Sequence, residues 1–204
     1  ITAYTTGGKN VKCTVTVKGK ISDSSISAIK TQSYTGKAVS PAPAVTYGGK
    51  KLVKNTDYTV SYSKNTAIGQ ASVKITGKGL YKGTKTVNFN IRPATVTKLK
   101  VSSTGEKSVK LSWKKITGAD SYAIYRYDNT SKKWHRIKTV KAVSFTDSGL
   151  ARAKGYSYKV KAVKKSGGKE YISASYSKAV EAVTKPAKAS CTAKSSGSGS
   201  IEVS

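Results

Sequence analysis

The residues that could carry acid–base or nucleophilic chemistry are few in this chain of 204 residues. It has 9 Asp and Glu, one His and 2 Cys against 38 Lys and Arg. Because His135 is the single imidazole, any Ser-His-Asp or Cys-His arrangement must use it, and no nucleophile elbow or phosphate-binding loop accompanies it. We predict a non-enzymatic chain without a cofactor, in which His135 is a partly exposed residue on an edge strand.

The same scarcity argues against a metal site and against a covalent crosslink. One His cannot form a histidine cluster, and Ca²⁺ needs several oxygen ligands that dispersed carboxylates do not supply. The sequence therefore predicts no metal site. A Lys–Asn isopeptide bond would need a buried acid, but residues 20–92 offer only Asp23 and Asp57. We do not expect the crosslink, although the sequence leaves the question open.

The best candidate for ligand binding is the run Trp134-His135-Arg136, which follows Lys132 and Lys133. An exposed Trp flanked by cations can stack on a sugar ring or anchor a protein partner. The alternative, which we favour, is that Trp134 covers the edge of a sheet as a large amphipathic residue. A second and weaker set consists of tyrosines for which a structural use is favoured: Tyr34, Tyr47, Tyr62 and Tyr81.

The elements that must position these residues are strands. Apolar and polar residues alternate with period two through most of the chain, and Gly- and Asn-containing turn signals separate the runs. No stretch longer than ten residues shows a helical period. The clearest alternating runs are Val11 to Val17, Tyr58 to Tyr62, Ala71 to Ile75, Val87 to Ile91, Val109 to Trp113, Tyr122 to Ile124 and Tyr156 to Ala162. The sequence predicts an all-β fold of sandwiches.

Proline-containing joins divide the chain into segments. Arg92-Pro93-Ala94 and Lys185-Pro186-Ala187 interrupt the strand pattern, because Pro cannot continue a central strand. Such short joins are semi-rigid and predict sandwiches held in an extended array. Since both ends of the chain fall within strand-like patterns, we also expect it to be a fragment. The predicted segments are 1–19, 20–92, 93–186 and 187–204.

Residues 93–186 resemble a fibronectin type III domain. The ordered residues that carry the resemblance are Pro93, Val109-Leu111-Trp113, Gly118-Ala119, Tyr122-Ile124-Tyr125, Phe145, and Leu150 with Tyr156, Tyr158, Val160 and Ala162. The resemblance implies that Trp113 and Tyr122 stack as core between two sheets. It also implies that Leu150 and Tyr156 form a corner, in which the tyrosine hydroxyl holds the crossover between the sheets.

Residues 20–92 are similar to an Ig-like repeat that occurs in tandem on surface proteins of Gram-positive, particularly clostridial, bacteria. The motifs that carry this similarity are Tyr34-Thr35-Gly36-Lys37, Asp57 to Tyr62, Asn65 with Gly69, and Ile75 to Gly83. Residues 1–19 resemble the C-terminal piece of a bacterial Ig-like group 2 domain, and 187–204 the first strands of a further type III domain. These resemblances imply a long secreted or wall-attached protein made of repeated modules.

The net charge of +29 gives the chain an attraction for polyanions. The charge comes mostly from lysine, since Arg92, Arg126, Arg136 and Arg152 are the only arginines, and it is spread along the chain. Lysines that alternate with apolar residues are typical of solvent-facing strand positions. We predict no specific nucleic-acid partner, because arginine is scarce and no nucleic-acid-binding fold matches.

Cys13 and Cys191 occupy apolar strand positions near opposite ends of the chain, and we predict that each is a buried free thiol. No run of about 18 apolar residues is present, so we expect no membrane insertion, and no signal peptide is evident. The resemblance to modules of surface proteins implies an extracellular location, either secreted or at the cell surface. The oligomeric state is not indicated.

The leading functional prediction is a structural and adhesive segment of a large bacterial surface or secreted protein, which spaces and presents binding modules. Its partners would be a host protein such as an immunoglobulin, a glycan, or anionic cell-wall polymers. The alternative is an accessory carbohydrate- or wall-binding region of a secreted enzyme that degrades glycans or the cell wall.

Overall fold

The structure is a computed structural model that describes residues 2–4, 10–12, 17–189, 193–196 and 200–203. Cys13 and Cys191, for which buried thiols were predicted, lie outside these residues.

The described residues are predominantly β-structure. Their one helical element is a three-residue 3₁₀ helix, Ile21–Asp23. The strands are β1 (Thr2–Tyr4), β2 (Asn10–Lys12), β3 (Gly19–Lys20), β4 (Ser25–Ile26), β5 (Gln32–Tyr34), β6 (Val45–Tyr47), β7 (Lys50–Lys51), β8 (Tyr58–Ser63), β9 (Gly69–Gly77), β10 (Tyr81–Lys82), β11 (Thr84–Pro93), β12 (Lys100–Thr104), β13 (Ser108–Ser112), β14 (Ser121–Asp128), β15 (Lys133–Val140), β16 (Ser144–Ser148), β17 (Gly155–Ser166), β18 (Lys169–Ile172), β19 (Val180–Val183), β20 (Ala193–Ser196) and β21 (Ser200–Val203). The all-β prediction is confirmed. No helix among the described residues is long and apolar enough to cross a bilayer.

The chain forms two compact units. The first comprises Ile1–Thr95, Ile116–Asp120 and Ala162–Ser175, and the second comprises Val96–Lys115, Ser121–Lys161 and Tyr176–Ser204. The prediction that Pro93 interrupts the strand is wrong, because β11 includes Pro93, which lies opposite Tyr34 at the end of the strand. The segment boundaries drawn from the proline-containing joins stay predictions.

The first unit contains two sheets that share one core. A four-stranded sheet has the order β5-β11-β9-β8, in which β11 is parallel to β5 and antiparallel to β9, and a three-stranded sheet has the order β4-β6-β7. Val45 of β6 belongs to the same buried cluster as Val73 and Ile75 of β9. Because residues of both sheets meet in that cluster, this part of the chain is a β-sandwich.

Both acids of residues 20–92 lie away from the core. Asp23 is exposed in the 3₁₀ helix. Asp57 precedes β8, and its Oδ2 accepts a hydrogen bond of 2.8 Å from the backbone N–H of Val53, which closes a turn. Neither carboxylate therefore has the buried position that isopeptide formation needs.

Strands β12 to β19 form two further sheets. One has the order β12-β13-β16, and the other has the order β15-β14-β17-β18, with β19 also paired to β17. Trp113, which directly follows β13, meets Tyr122 of β14 edge-on, with ring centroids 5.4 Å apart and an interplanar angle of 62°. Both rings are buried. The prediction that this pair lies in the core between two sheets is confirmed.

The predicted tyrosine corner is also present. The hydroxyl of Tyr156, near the start of β17, accepts a hydrogen bond of 2.9 Å from the backbone N–H of Ala151. Leu150 beside it is 5 % exposed. The bond ties β17 to the connection that precedes it, which fixes the path of the chain from β16.

Candidate functional site

The run Trp134-His135-Arg136 lies on β15, at the edge of its sheet. In the register with β14, Trp134 is opposite Tyr127, His135 is opposite Arg126, and Arg136 is opposite Tyr125. Successive residues of a strand point to opposite faces. The structure therefore brings Trp134 and Arg136 to one face of the sheet and places His135 on the other.

The two lysines that precede the run lie at the β14–β15 hairpin. Lys132 adopts a left-handed backbone conformation with φ of 54°, and Lys133 opens β15 opposite Asp128. Both lysine side chains are exposed. They take part in the turn and not in the face on which Trp134 lies.

Trp134 belongs to a group of aromatic rings and lysines on the outward side of the sheet. We call this group the aromatic–lysine face, and its members are Tyr125, Tyr127, Trp134, Lys159, Lys161 and Tyr176. All six side chains are partly buried. The residues between them on β17, Tyr158 and Val160, are fully buried, so Lys159 and Lys161 occupy the outward positions of that strand.

The contacts within the face are close. The ring centroids of Tyr127 and Trp134 are 5.2 Å apart, and the Nζ of Lys159 lies 4.3 Å from the Trp134 ring. Lys159 also approaches Tyr176 at 5.5 Å, while the Nζ of Lys161 lies 4.1 Å from the same tyrosine ring. These distances are within the range of cation–π interactions. The ammonium groups of β17 thus lie over rings that come from β15 and from the segment that contains Tyr176.

Tyr176 lies between β18 and β19 and completes the face. Its ring meets Tyr125 of β14 edge-on, with centroids 4.9 Å apart. The aromatic–lysine face therefore combines side chains from β14, β15, β17 and one connecting segment. Trp134 packs against Tyr127 in this face, and the ammonium groups of Lys159 and Lys161 lie over the Trp134 and Tyr176 rings.

His135, on the opposite side of β15, takes part in a polar cluster at the hairpin. Asp128 accepts hydrogen bonds from the backbone N–H of Thr130 (2.9 Å) and from the hydroxyl of Ser131 (2.7 Å). The hydrogen bond from Ser131, and next that from Thr130, lowers the pKa of Asp128. The Nε2 of His135 lies 2.9 Å from Ser131 Oγ and 3.9 Å from Asp128 Oδ2.

This cluster contains a serine, a histidine and an aspartate, but its geometry differs from that of a catalytic triad. In a triad, the base accepts the serine proton on one ring nitrogen and donates to the acid from the other. Here Ser131 gives its only hydroxyl hydrogen to Asp128, so the Nε2–H of His135 must donate to Ser131 Oγ. In this arrangement His135 does not accept the Ser131 proton, and the cluster stabilises the turn.

A polar cavity of about 340 Å³ lies next to this cluster. Its lining residues are Arg126, Tyr127, Asp128, Asn129, Thr130, His135, Ile137, Lys154, Gly155 and Tyr156. Within the lining, the backbone N–H of Thr130 donates to Asp128, whereas Arg126 and Tyr156 bond to Asp147 and Ala151 outside it. In the described part of the chain, no group of three or more His, Cys, Asp and Glu is arranged to hold a metal ion.

Arg126, which lines the cavity, also belongs to a buried network that sequence reasoning missed. Its Nη1 and the hydroxyl of Tyr158 both donate to Oδ2 of Asp147, each at 2.8 Å. Asp147 on β16 is 7 % exposed. The inward position of Asp147 could have been inferred from the sequence, because Asp147 lies two residues after the apolar Phe145. The two side chains therefore point to the same side of the strand.

The network shifts the pKa values of its members. Burial, and next the hydrogen bond to Asp147, raises the pKa of Tyr158. For Arg126, burial acts to lower the pKa, but the hydrogen bond and the charge of Asp147 outweigh it, so the pKa is raised. Both donors therefore keep their protons, and the network is a fixed structural unit.

No known family model matches this chain. Part of the chain is similar to a curated protein. A stretch of 97 residues is 42 % identical to a poly(3-hydroxybutyrate) depolymerase of Ralstonia pickettii and covers 48 % of this chain and 18 % of the relative. The chain thus spans less than a fifth of the length of the relative that it matches.

Similar solved structures are fibronectin type III and Ig-like domains. A fibronectin type III domain of the human fibronectin type III domain containing protein 3 is 22 % identical, with 47 % of this chain and 89 % of that chain covered and a TM-score of 0.41. Domains A168–A170 of titin are 19 % identical, with 76 % of this chain and 62 % of theirs covered and a TM-score of 0.39. The chain is therefore similar to a segment of a depolymerase in sequence and to fibronectin type III domains in structure.

Proposed function

We propose that this chain is a non-catalytic accessory segment of a secreted, multidomain bacterial enzyme that acts on a polymer. The observation that carries the proposal is the 42 % identity over 97 residues with a poly(3-hydroxybutyrate) depolymerase, which involves only 18 % of that enzyme. Such a partial match is expected of a module that several large proteins share. The segment would space or hold the catalytic domain relative to its substrate.

The structure supports this role in two ways. The inward faces of the sandwiches are filled with hydrophobic core, including Tyr158, Val160 and Ala162 of β17, which are fully buried. The one histidine is a hydrogen-bond donor in a hairpin turn. The function of such a sandwich then depends on its surfaces and on the domains that it connects.

A second candidate is an adhesive segment of a bacterial surface protein. The aromatic–lysine face favours it, because aromatic rings and cations that lie together on a surface are typical of binding sites. The partner would be a host protein such as an immunoglobulin, a glycan, or an anionic cell-wall polymer. An extracellular location follows from either function. The Gram-positive, clostridial-type origin depends on the resemblance of residues 20–92 alone.

The accessory function is tested in the full-length parent protein by deletion of residues 20–186. Turnover of a soluble short oligomer should stay within about twofold, whereas turnover of the insoluble polymer should fall about tenfold, because tethering acts through effective concentration. The proposal would be wrong if the soluble substrate were affected equally, which would place catalysis in the segment. It would also be wrong if the parent protein had no catalytic domain.

A further inference from the structure

We propose that the aromatic–lysine face binds a linear acidic polysaccharide, with sugar rings against Trp134 and Tyr176 and carboxylates beside Lys159 and Lys161. This inference names a ligand class for the second candidate function and rests on it. The accessory function does not depend on it, since a spacer needs no ligand of its own.

The composition of the face favours a sugar ligand. The outward side of an antiparallel sheet is ordinarily polar, yet here Tyr125, Tyr127, Trp134 and Tyr176 line it as partly buried rings. The apolar C–H side of a pyranose packs favourably against such rings, since both surfaces leave water. The rings come from separate strands and form a sheet-like surface, which suits an extended chain better than a small molecule.

The placement of the cations favours a sugar that carries carboxylates. Lys159 and Lys161 are consecutive outward residues of β17, so their Cα atoms are about 6.7 Å apart along the strand. The Nζ of Lys159 lies 4.3 Å from the Trp134 ring, and that of Lys161 lies 4.1 Å from the Tyr176 ring. Each ammonium group therefore lies over the face of a ring. A sugar that carries a carboxylate would replace it on that face, while the flexible lysine side chain turns to pair with the carboxylate.

The charged residues around the face favour an anionic ligand. Arg136 lies on the same side of the sheet as Trp134, where its guanidinium donates to Thr139. Glu181 of β19 is opposite Ser157 of β17, so this acid shares the face at one end. On this side of the sheet, the cations Lys159, Lys161 and Arg136 outnumber the acid Glu181. An anionic ligand is therefore favoured.

The presence of lysine at the centre of the face also indicates which class of anion it binds. Lysine is a flexible point charge, whereas arginine provides the bidentate geometry that phosphates and bases select. In an acidic polysaccharide, the carboxylates need only point charges such as lysine, and the sugar rings need only the aromatic rings. Nucleic acid is therefore the less favoured polyanion, and it becomes an outcome of the test.

The test measures binding of polygalacturonate to the 204-residue chain at about 0.15 M NaCl, where non-specific attraction is screened. The double variant Lys159→Gln/Lys161→Gln should weaken binding about tenfold. Its matched control is Lys110→Gln/Lys114→Gln, which removes the same charge at exposed positions at the other sheet and should cost about twofold or less. Thermal melting of each variant checks that it is folded.

Two further measurements make the result decisive even if the double variant folds poorly. Glu181→Gln removes the acid at the end of the face, so it should strengthen binding about two- to threefold. Binding should also change tryptophan fluorescence, and Trp134→Phe should abolish that change, since the other tryptophan, Trp113, is 6 % exposed in the core.

The proposal is overturned by any of three results. Equal losses in the two double variants would show that only the overall charge matters. Equal affinity for neutral dextran would remove the role of the carboxylates. Tighter binding of double-stranded DNA than of polygalacturonate at the same salt would identify a general polyanion surface. In each case the deletion experiment in the parent protein would still decide the accessory function separately.

Discussion

Asp147 is a carboxylate at an inward position of strand β16. A buried charge is costly unless it is paired and hydrogen-bonded, and Asp147 meets that condition through Arg126 and Tyr158. Both donate to the same carboxylate oxygen, Oδ2, at 2.8 Å. Because burial and the bond to Asp147 raise the pKa of Tyr158, its hydroxyl stays protonated and continues to donate at neutral and mildly alkaline pH.

The stability of this sandwich should depend on the charge of Asp147. Asp147→Asn keeps the size of the side chain but leaves Arg126 without its partner, so we expect the free energy of unfolding to fall by about 2 kcal/mol. The loss is smaller than for a fully buried pair because the Arg126 side chain is 35 % exposed. Urea unfolding followed by tryptophan fluorescence measures it, since Trp113 and Trp134 both belong to the second unit.

The control for this prediction is Glu181→Gln, in the same unit. Glu181 is exposed, so its replacement should change the free energy of unfolding by about 0.5 kcal/mol or less. If the two substitutions had equal effects, the pairing of Asp147 with Arg126 would not contribute to stability.

At the scale of elements, the connection between β9 and β10 depends on a close approach of two backbone segments. Gly77 ends β9, and its N–H donates to the carbonyl of Gly83 at 2.9 Å. A Cβ at Gly77 would lie 2.6 Å from the carbonyl oxygen of Tyr81 and 2.8 Å from the backbone nitrogen of Lys82. Backbone atoms cannot move aside as a flexible side chain can, so only glycine fits.

Gly77→Ala should therefore lower the free energy of unfolding by about 2 kcal/mol, which is the usual cost of overpacking. Urea unfolding followed by far-ultraviolet circular dichroism provides the measurement. Gly155→Ala is the matched control, because a Cβ at Gly155 meets nothing within 4 Å. A smaller effect for Gly77→Ala than for Gly155→Ala would contradict the close-approach argument.

The strands and their buried faces were predictable because alternation is a local property. Val109, Leu111 and Trp113 were predicted as one apolar series, and all three are buried. The tyrosine corner followed from resemblance, since Tyr156 at that position has a recurring structural use. These predictions needed only the order of residues along one strand.

The candidate site was predictable only in part because it depends on contacts that are distant in sequence. The run Trp134-His135-Arg136 was chosen as neighbouring residues, although adjacent residues of a strand face opposite ways. The contact of Lys159 with Trp134 depends on the order β15-β14-β17, which alternation does not specify. For the same reason, the partners of Asp147 could not be inferred from the sequence.

At the scale of the whole molecule, charge is the dominant property. The chain has 38 Lys and Arg and 9 Asp and Glu, so most of its cations cannot have an acidic partner. Ion pairs do form, as between Arg152 and Glu106 and between Lys164 and Asp120. Exposed pairs contribute little, about 0–1 kcal/mol each. Repulsion among the remaining cations should therefore destabilise the folded chain.

Stability should consequently rise with ionic strength. Between about 0.01 M and 0.15 M NaCl the screening length falls from about 30 Å to about 8 Å, and we expect the Tm to rise by about 4 °C. Circular dichroism melts measure the shift. Replacing Lys51, Lys82 and Lys141, which are exposed, by Gln should raise the Tm at low salt and reduce its dependence on salt. A Tm that fell on addition of salt would instead show that attractive ion pairs outweigh the repulsion, and the excess of lysine would then have to be explained by what the protein binds.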